Sequence, residues 1–215
     1  DFGRFNQCPG FNNFHINSLV DNTLDNEKNS QFLEGTGSMV LDRIHKIAYA
    51  CISKRTNKAL FEEWCKKMNF KPVSFIAKDA ETPIYHTNVL MSICNRMVFI
   101  CLDALVDPID QEELVSLFVK TKKEIINITK NQMNNFLGNV LELKNENNES
   151  FLVMSSSAFN VLTSAQKAII NQNTKIIHSP LDTIEYFGGG SARCMIAELF
   201  LQPNFGSKLK YPIFS

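Results

Sequence analysis

A strand pair, a helix and a further strand can be read three times in succession from the apolar spacing of this chain. The first copy pairs residues 38–42 with 47–53 across the polar turn Arg43-Ile44-His45-Lys46. Over 56–68 the residues Leu60, Phe61, Trp64 and Cys65 recur at spacings of three and four, which puts them on one face of a helix. Residues 72–77 then return as a strand. The second copy pairs 89–94 with 98–103 across Asn95-Arg96, turns Leu114, Leu117 and Phe118 inward on a helix over 111–120, and closes at 124–128. The third pairs 140–144 with 151–154, continues through a helix near 158–171 and ends on a strand at 175–178. A fourth copy starts at Cys194 and runs out of chain. First strands therefore begin near 38, 89, 140 and 195. Self-similarity at a period of about fifty residues marks one supersecondary unit repeated around an axis or along a line. The plainer reading, an α+β domain in which β-β-α-β recurs by chance, explains less.

The segment before each first strand occupies the same place in every copy, so in a ring of such units these segments converge. Glu34 lies there in the first copy, His86 in the second, the amide-rich run 132–139 ending in Asn139 in the third, and Cys194 in the fourth. A thiol, an imidazole and a carboxylate are the nucleophile, base and orienting group that covalent catalysis requires. Each has a plainer reading when taken alone. A histidine at the start of a strand often serves a turn, a cysteine opening an apolar strand is often packing, and a glutamate beside Gly-x-Gly caps a turn. The shared register shifts the balance toward chemistry. Gly188-Gly189-Gly190 lacks the Lys-Ser/Thr of a phosphate loop and precedes a strand, so these glycines read as room for backbone to approach a small ligand.

Composition narrows the partners. Hydrophobic residues make up 44% of the 215, ample for a core. Lys plus Arg equal Asp plus Glu at 22 each, and without a basic stripe no nucleic acid is expected. No run approaches the roughly 18 apolar residues of a membrane span, so no membrane partner is expected either. Of the six cysteines, Cys51, Cys65, Cys94 and Cys101 sit in apolar runs and none forms C-x-x-C. That pattern fits buried, reduced thiols in a cytoplasmic protein better than a disulfide framework or a metal site. Neither metal nor cofactor is expected, and nothing in the residues speaks to oligomeric state.

The segments Leu33-Glu-Gly-Thr-Gly-Ser38, Ser53-Lys-Arg-Thr-Asn57, Tyr85-His-Thr-Asn88, Gln132-Met133 and Gly188-Gly-Gly-Ser-Ala-Arg-Cys194 together resemble the pentein superfamily of amidinotransferase-like, guanidine-modifying enzymes. Their order and spacing are most similar to bacterial citrulline-utilisation hydrolases, with dimethylarginine dimethylaminohydrolases as a nearby branch. The resemblance runs from about Phe14 to Pro203. It implies an α+β fold, an α/β-propeller of five β-β-α-β modules around a pseudo-fivefold axis. Residues 1–215 would then be a single catalytic domain whose first module is missing. The segment Gly10-Phe-Asn-Asn13 superficially matches a family motif, lies too close to Glu34, and reads as loop.

Carried over residue by residue, the resemblance implies Cys194 as nucleophile, His86 as general acid/base, Glu34 as the motif carboxylate and Arg55 as the group binding the substrate α-carboxylate. Ser38 and Asn88 stand where relatives carry acids. With Asn139 they are expected to meet substrate, and their neutrality tilts the expectation toward a ureido side chain such as citrulline. The implied activity is cysteine-dependent hydrolysis of a guanidino or ureido amino acid through a thiouronium-type intermediate. An amidinotransferase, or a non-catalytic fragment binding a small ligand or partner, are the alternatives.

Overall fold

A computed structural model describes residues 29–198. Residues 10–13, Cys8 and the continuation of the fourth copy past Glu198 lie outside the described residues. Within them the β-β-α-β unit recurs as read. The first module comprises β1 (Val40–Asp42), β2 (Ile47–Cys51), α2 (Lys58–Met68) and β3 (Lys71–Phe75), after a short turn of helix, α1 (Gly35–Ser38). A small hairpin, β4 (Lys78–Asp79) and β5 (Thr82–Pro83), leads to α3 (Thr87–Leu90). The second module holds β6 (Met91–Ile93), β7 (Met97–Ile100), α4 (Pro108–Lys120) and β8 (Glu124–Asn127). The third follows α5 (Lys130–Asn134) and holds β9 (Leu141–Lys144), β10 (Ser150–Ser155), α6 (Ser156–Asn160), α7 (Ser164–Asn173) and β11 (Lys175–Ser179). Then come α8 (Asp182–Gly188) and α9 (Ala192–Met195).

Each module owns a separate three-stranded sheet with the same topology. Its first two strands pair antiparallel, and the crossover helix returns the third parallel to the second. The middle strand is therefore flanked on both edges. In β2 and β7 every residue is buried, which is why both read as continuous apolar runs. Tyr49, Phe99, Phe118 and Leu152 anchor one core cluster that runs through all three modules. A smaller cluster of Ala48, Ala50, Phe61, Cys65 and Phe70 sits beneath α2.

Helix boundaries follow the caps. The Asn57 side chain accepts from Leu60 N at the start of α2, and Asn69 closes that helix in the left-handed region. Asp107 caps α4, whose first residue is Pro108. The helix expected over 158–171 is instead two, because Ser155 caps α6 and Thr163 opens a capping box with Gln166 at the start of α7. A second difference bears on the site. Residues 38, 89 and 194 were expected in strands, but all three lie in the single helical turns α1, α3 and α9. Four-residue turns are too short to leave a periodicity. No helix among the described residues is long and apolar enough to cross a membrane.

The first two modules are joined by a buried ion pair. Lys123 Nζ lies 3.2 Å from Asp42 Oδ2, with both side chains 1% exposed. Lys123 also donates to the carbonyls of Cys94 and Asn95, each at 2.8 Å, and Asp42 accepts from His45 N and His45 Nδ1. Desolvation pushes the Asp42 carboxyl up, but the His45 and Lys123 contacts together outweigh it and hold it below its ordinary value of 3.8. A depressed folded value means that its stabilisation is full above the unfolded value and is lost as pH falls through the lowered one. We predict that Asp42→Asn, which strands a buried ammonium, costs about 3 kcal/mol in urea unfolding at neutral pH. The variant should also lack the wild type's loss of stability below pH 3.8 that Asp42 contributes.

Candidate active site

The helical turns bring the expected residues together in two groups, Glu34 with His86 and Arg55, and Cys194 with Asn88 and Asn139. Glu34 precedes α1 and His86 precedes α3, and His86 Nε2 lies 2.6 Å from Glu34 Oε2. An ionised carboxylate only accepts, so Nε2 carries the hydrogen and Nδ1 is the atom left to exchange protons. The ring is held from two sides. Tyr85 packs on it at 4.9 Å between centroids, and a Cβ on Gly37 would sit 2.8 Å from its Cε1 and Nδ1. Arg55 extends its guanidinium over the Tyr85 ring, 5.0 Å from the centroid, with Nη1 3.8 Å from Glu34 Oε2.

Asn88 lies on α3, just past His86, and points at the sulfur. Its Nδ2 donates to Cys194 Sγ at 3.5 Å, and Asn139 Nδ2 donates to the same atom at 3.3 Å. Asn139 also donates to the Asn88 carbonyl at 2.9 Å and accepts Arg193 N on Oδ1 at 3.1 Å. The two amides are nearly buried, at 4% and 3%, whereas Cys194 is exposed. Two N–H donors thus converge on the sulfur. The other cysteines contrast sharply. Burial pushes the thiols of Cys51, Cys65 and Cys101 up to about 11, and that of Cys94 higher still.

Ser38 departs from expectation. It is 0% exposed, and its hydroxyl accepts from Glu34 N and Thr56 Oγ1 while donating to the Arg55 carbonyl. One proton and two lone pairs are all used, so nothing remains for a substrate. Ser38 shapes the turn instead. The glycine run also differs: a Cβ on Gly190 would lie 3.1 Å from Cys194 Sγ, so the space made there is filled by the cysteine itself. Tyr85, Thr87 and Gly37 were not assigned from sequence, although the first two flank His86 in a quoted motif. Thr87 accepts Cys51 N at 2.7 Å and donates to the Ser38 carbonyl at 2.6 Å, fixing α3 against α1.

With this geometry established, the comparisons decide the family. A model of the eukaryotic N,N dimethylarginine dimethylhydrolase family matches residues 11–201. The chain belongs to that family. That family is the branch named second above, within the amidinotransferase-like superfamily. A comparison with curated proteins found no match.

Solved structures agree on the fold. Apo ArgZ, an arginine dihydrolase from the ornithine-ammonia cycle in cyanobacteria, aligns with a TM-score of 0.59 at 19% identity, over 76% of this chain and 23% of that one. The product-bound N-terminal domain of ArgZ gives 0.60 at 18%, over 76% and 55%. AgrE in ternary complex with ornithine and NAD+ gives 0.61 at 21%, over 76% and 22%. This chain thus spans about half of the ArgZ domain and about a quarter of whole ArgZ. At such identities the likeness is one of fold, the α+β modules of the pentein kind.

In this dimethylarginine dimethylhydrolase relative the Gly37 contact yields a specific expectation. The atom that a Cβ would strike is a side-chain ring, which can swing away, so Gly37→Ala should fold. The ring would then leave Glu34. With His86 as the general acid/base that the resemblance implies, turnover should fall by about 100-fold or more, with the far-UV spectrum unchanged. Full activity in a folded Gly37→Ala would show that His86 need not stay where it is.

Proposed function

We propose that this chain carries a cysteine-dependent hydrolase acting on the guanidino or ureido group of an arginine-derived amino acid. The observation that carries the reading is the pair of side-chain amides donating to the exposed Cys194 Sγ, one of them from Asn88 on α3, the turn opened by His86, whose ring pairs with Glu34. A guanidino carbon is a resonance-stabilised, poor electrophile. It needs a thiolate and a leaving nitrogen that is protonated as it departs.

Cys194 thiolate bonds to that carbon, the C–N bond breaks, and the departing amine takes a proton from His86. The intermediate is a thiouronium-type adduct on Cys194. Water then adds to the same carbon and gives a proton back to His86. The C–S bond breaks, releasing a ureido product when a guanidino group was attacked and restoring the thiolate. Glu34 holds the imidazole and stabilises its protonated form, and Arg55, exposed and weakly paired, is available for the α-carboxylate of the substrate.

The preference for citrulline rested on Ser38 and Asn88 both meeting substrate. Ser38 is committed inside the fold and Asn88 is aimed at sulfur. The neutral hydrogen-bonding wall that favoured a ureido group is therefore weakened, while the Glu34 carboxylate remains exposed to pair with a cation. A guanidino amino acid is accordingly the preferred substrate class. Family membership supports this, and the ArgZ and AgrE structures carry arginine-related ligands: substrate, a covalently bound reaction intermediate, product and L-arginine.

Two measurements test the reading. Incubating the full-length protein with a haloacetamidine should give a single covalent adduct that maps to Cys194 and disappears in Cys194→Ser. The adduct should form at least about 100-fold faster there than on the buried Cys51, Cys65, Cys94 and Cys101, whose thiols are hardly ionised at neutral pH. In turnover assays, kcat/KM for arginine or N,N-dimethylarginine should exceed that for citrulline. Citrulline winning would restore the ureido reading, and no adduct on Cys194 would leave the chain a binding protein.

A further inference from the structure

Glu185 is a buried carboxylate that none of the steps above uses. It lies on α8, ahead of the glycine run, without a cation partner among the described residues. Its two oxygens instead take two serine hydroxyls: Ser157 Oγ donates to Oε2 at 2.7 Å and Ser191 Oγ to Oε1 at 2.6 Å. A carboxylate is costly to bury, and hydrogen bonds to charged groups are among the stronger ones, so this arrangement fixes both serines firmly.

What the serines belong to gives the arrangement its meaning. Ser157 is part of α6, in the body of the third module. Ser191 is fully buried, and its carbonyl accepts Cys194 N at 3.0 Å, closing the turn that carries the nucleophile. Glu185 therefore ties the Cys194 turn to the third module. The donors that this turn must meet come from elsewhere, Asn88 from α3 and Asn139 from the segment before β9. At 3.5 Å and 3.3 Å these contacts have the ordinary length for N–H donors on sulfur, and they are made only while the turn keeps Cys194 between two donors carried by other segments.

We propose that Glu185 is a positioning residue for catalysis. Through Ser191 it holds Cys194 Sγ where the Asn88 and Asn139 amides stabilise the thiolate. The proposal rests on Cys194 being the nucleophile, and its test needs no substrate. Alkylation of Cys194 by iodoacetamide is followed across pH by peptide mass mapping in the full-length wild type, Glu185→Ala, Glu185→Gln and Ser157→Ala, with folding checked by circular dichroism and melting. His86, Glu34, Arg55 and Arg193 are present in every variant, so differences report the brace.

Loss of the amide donors should raise the alkylation midpoint of Glu185→Ala by about one pH unit, a tenfold loss of thiolate below it. Glu185→Gln keeps hydrogen-bonding groups for both serines and should stay close to the wild type. Ser157→Ala should fall between the two. A purely electrostatic role predicts the opposite sign, because removing a negative charge would lower the midpoint in Ala and Gln alike. An unmoved midpoint in folded Glu185→Ala, or equal shifts in Ala and Gln, overturns the proposal. If Glu185→Ala does not fold, Ser157→Ala decides, and an unmoved midpoint there overturns it equally. Wild-type Cys194 failing to react ahead of the buried cysteines would instead overturn the nucleophile reading from which this one starts.

Discussion

The hydroxyl of Ser38 has one proton to give and two lone pairs to offer, and the fold commits all three to Arg55, Glu34 and Thr56. Its carbonyl meanwhile takes the Thr87 hydroxyl, which in turn accepts Cys51 N. This small knot links α1, β2 and α3, and the three side chains in it are fully buried. Each neutral hydrogen bond contributes about 1 kcal/mol net, but leaving a buried member unpartnered costs up to about 3. Apolar packing between modules could slide. Directional bonds cannot, and this is how Glu34 and His86, which flank the knot in sequence, come to face one another at 2.6 Å.

The same device recurs around Cys194 with amides in place of hydroxyls. Asn139 fastens the Asn88 carbonyl and the Arg193 amide, and only its remaining reach touches sulfur. Cys194 can thus be exposed and still have a defined position, as the proposed nucleophile requires. The contrast with Cys51, Cys65, Cys94 and Cys101 has one physical origin. Those thiols meet apolar neighbours and are neutral because charge there would be unsolvated, whereas Cys194 meets water and two N–H donors.

The repeat was legible because its parts obey strong local rules. Middle strands flanked on both sides need continuous apolar runs, and α2 and α4 announce themselves by the spacings of Leu60, Phe61, Trp64 and Cys65 and of Leu114, Leu117 and Phe118. Equivalence between copies then singled out Glu34, His86, Asn139 and Cys194, of which the first two meet one another and the last two meet one another. What failed was the finer step from location to contact. Ser38 occupies the right place, but its side chain turns inward because a four-residue helical turn, invisible to periodicity, intervenes before β1. Glu185 left no signal at all, since its meaning depends on Ser157, a residue of another module that only the fold brings near.

A guanidino amino acid carries a cation at one end and a carboxylate at the other, and recognition calls for the opposite charges in the site. Glu34 and Arg55 are such a pair, and in the chain alone they lean on each other at 3.8 Å with side chains 40% and 54% exposed. An exposed pair of this kind is worth about 0–1 kcal/mol, so separating it costs little. On the proposed reading, a substrate exchanges that one weak contact for two, guanidinium to Glu34 and carboxylate to Arg55, in surroundings that it desolvates by its own presence. Arg55 gives up a further contact with the Tyr85 ring only if it moves far, and the ring's own hydroxyl is held by the Gly189 carbonyl at 3.4 Å. The guanidinium of Arg55 can therefore turn on a fixed aromatic surface, which keeps the entropic cost of recruiting it low.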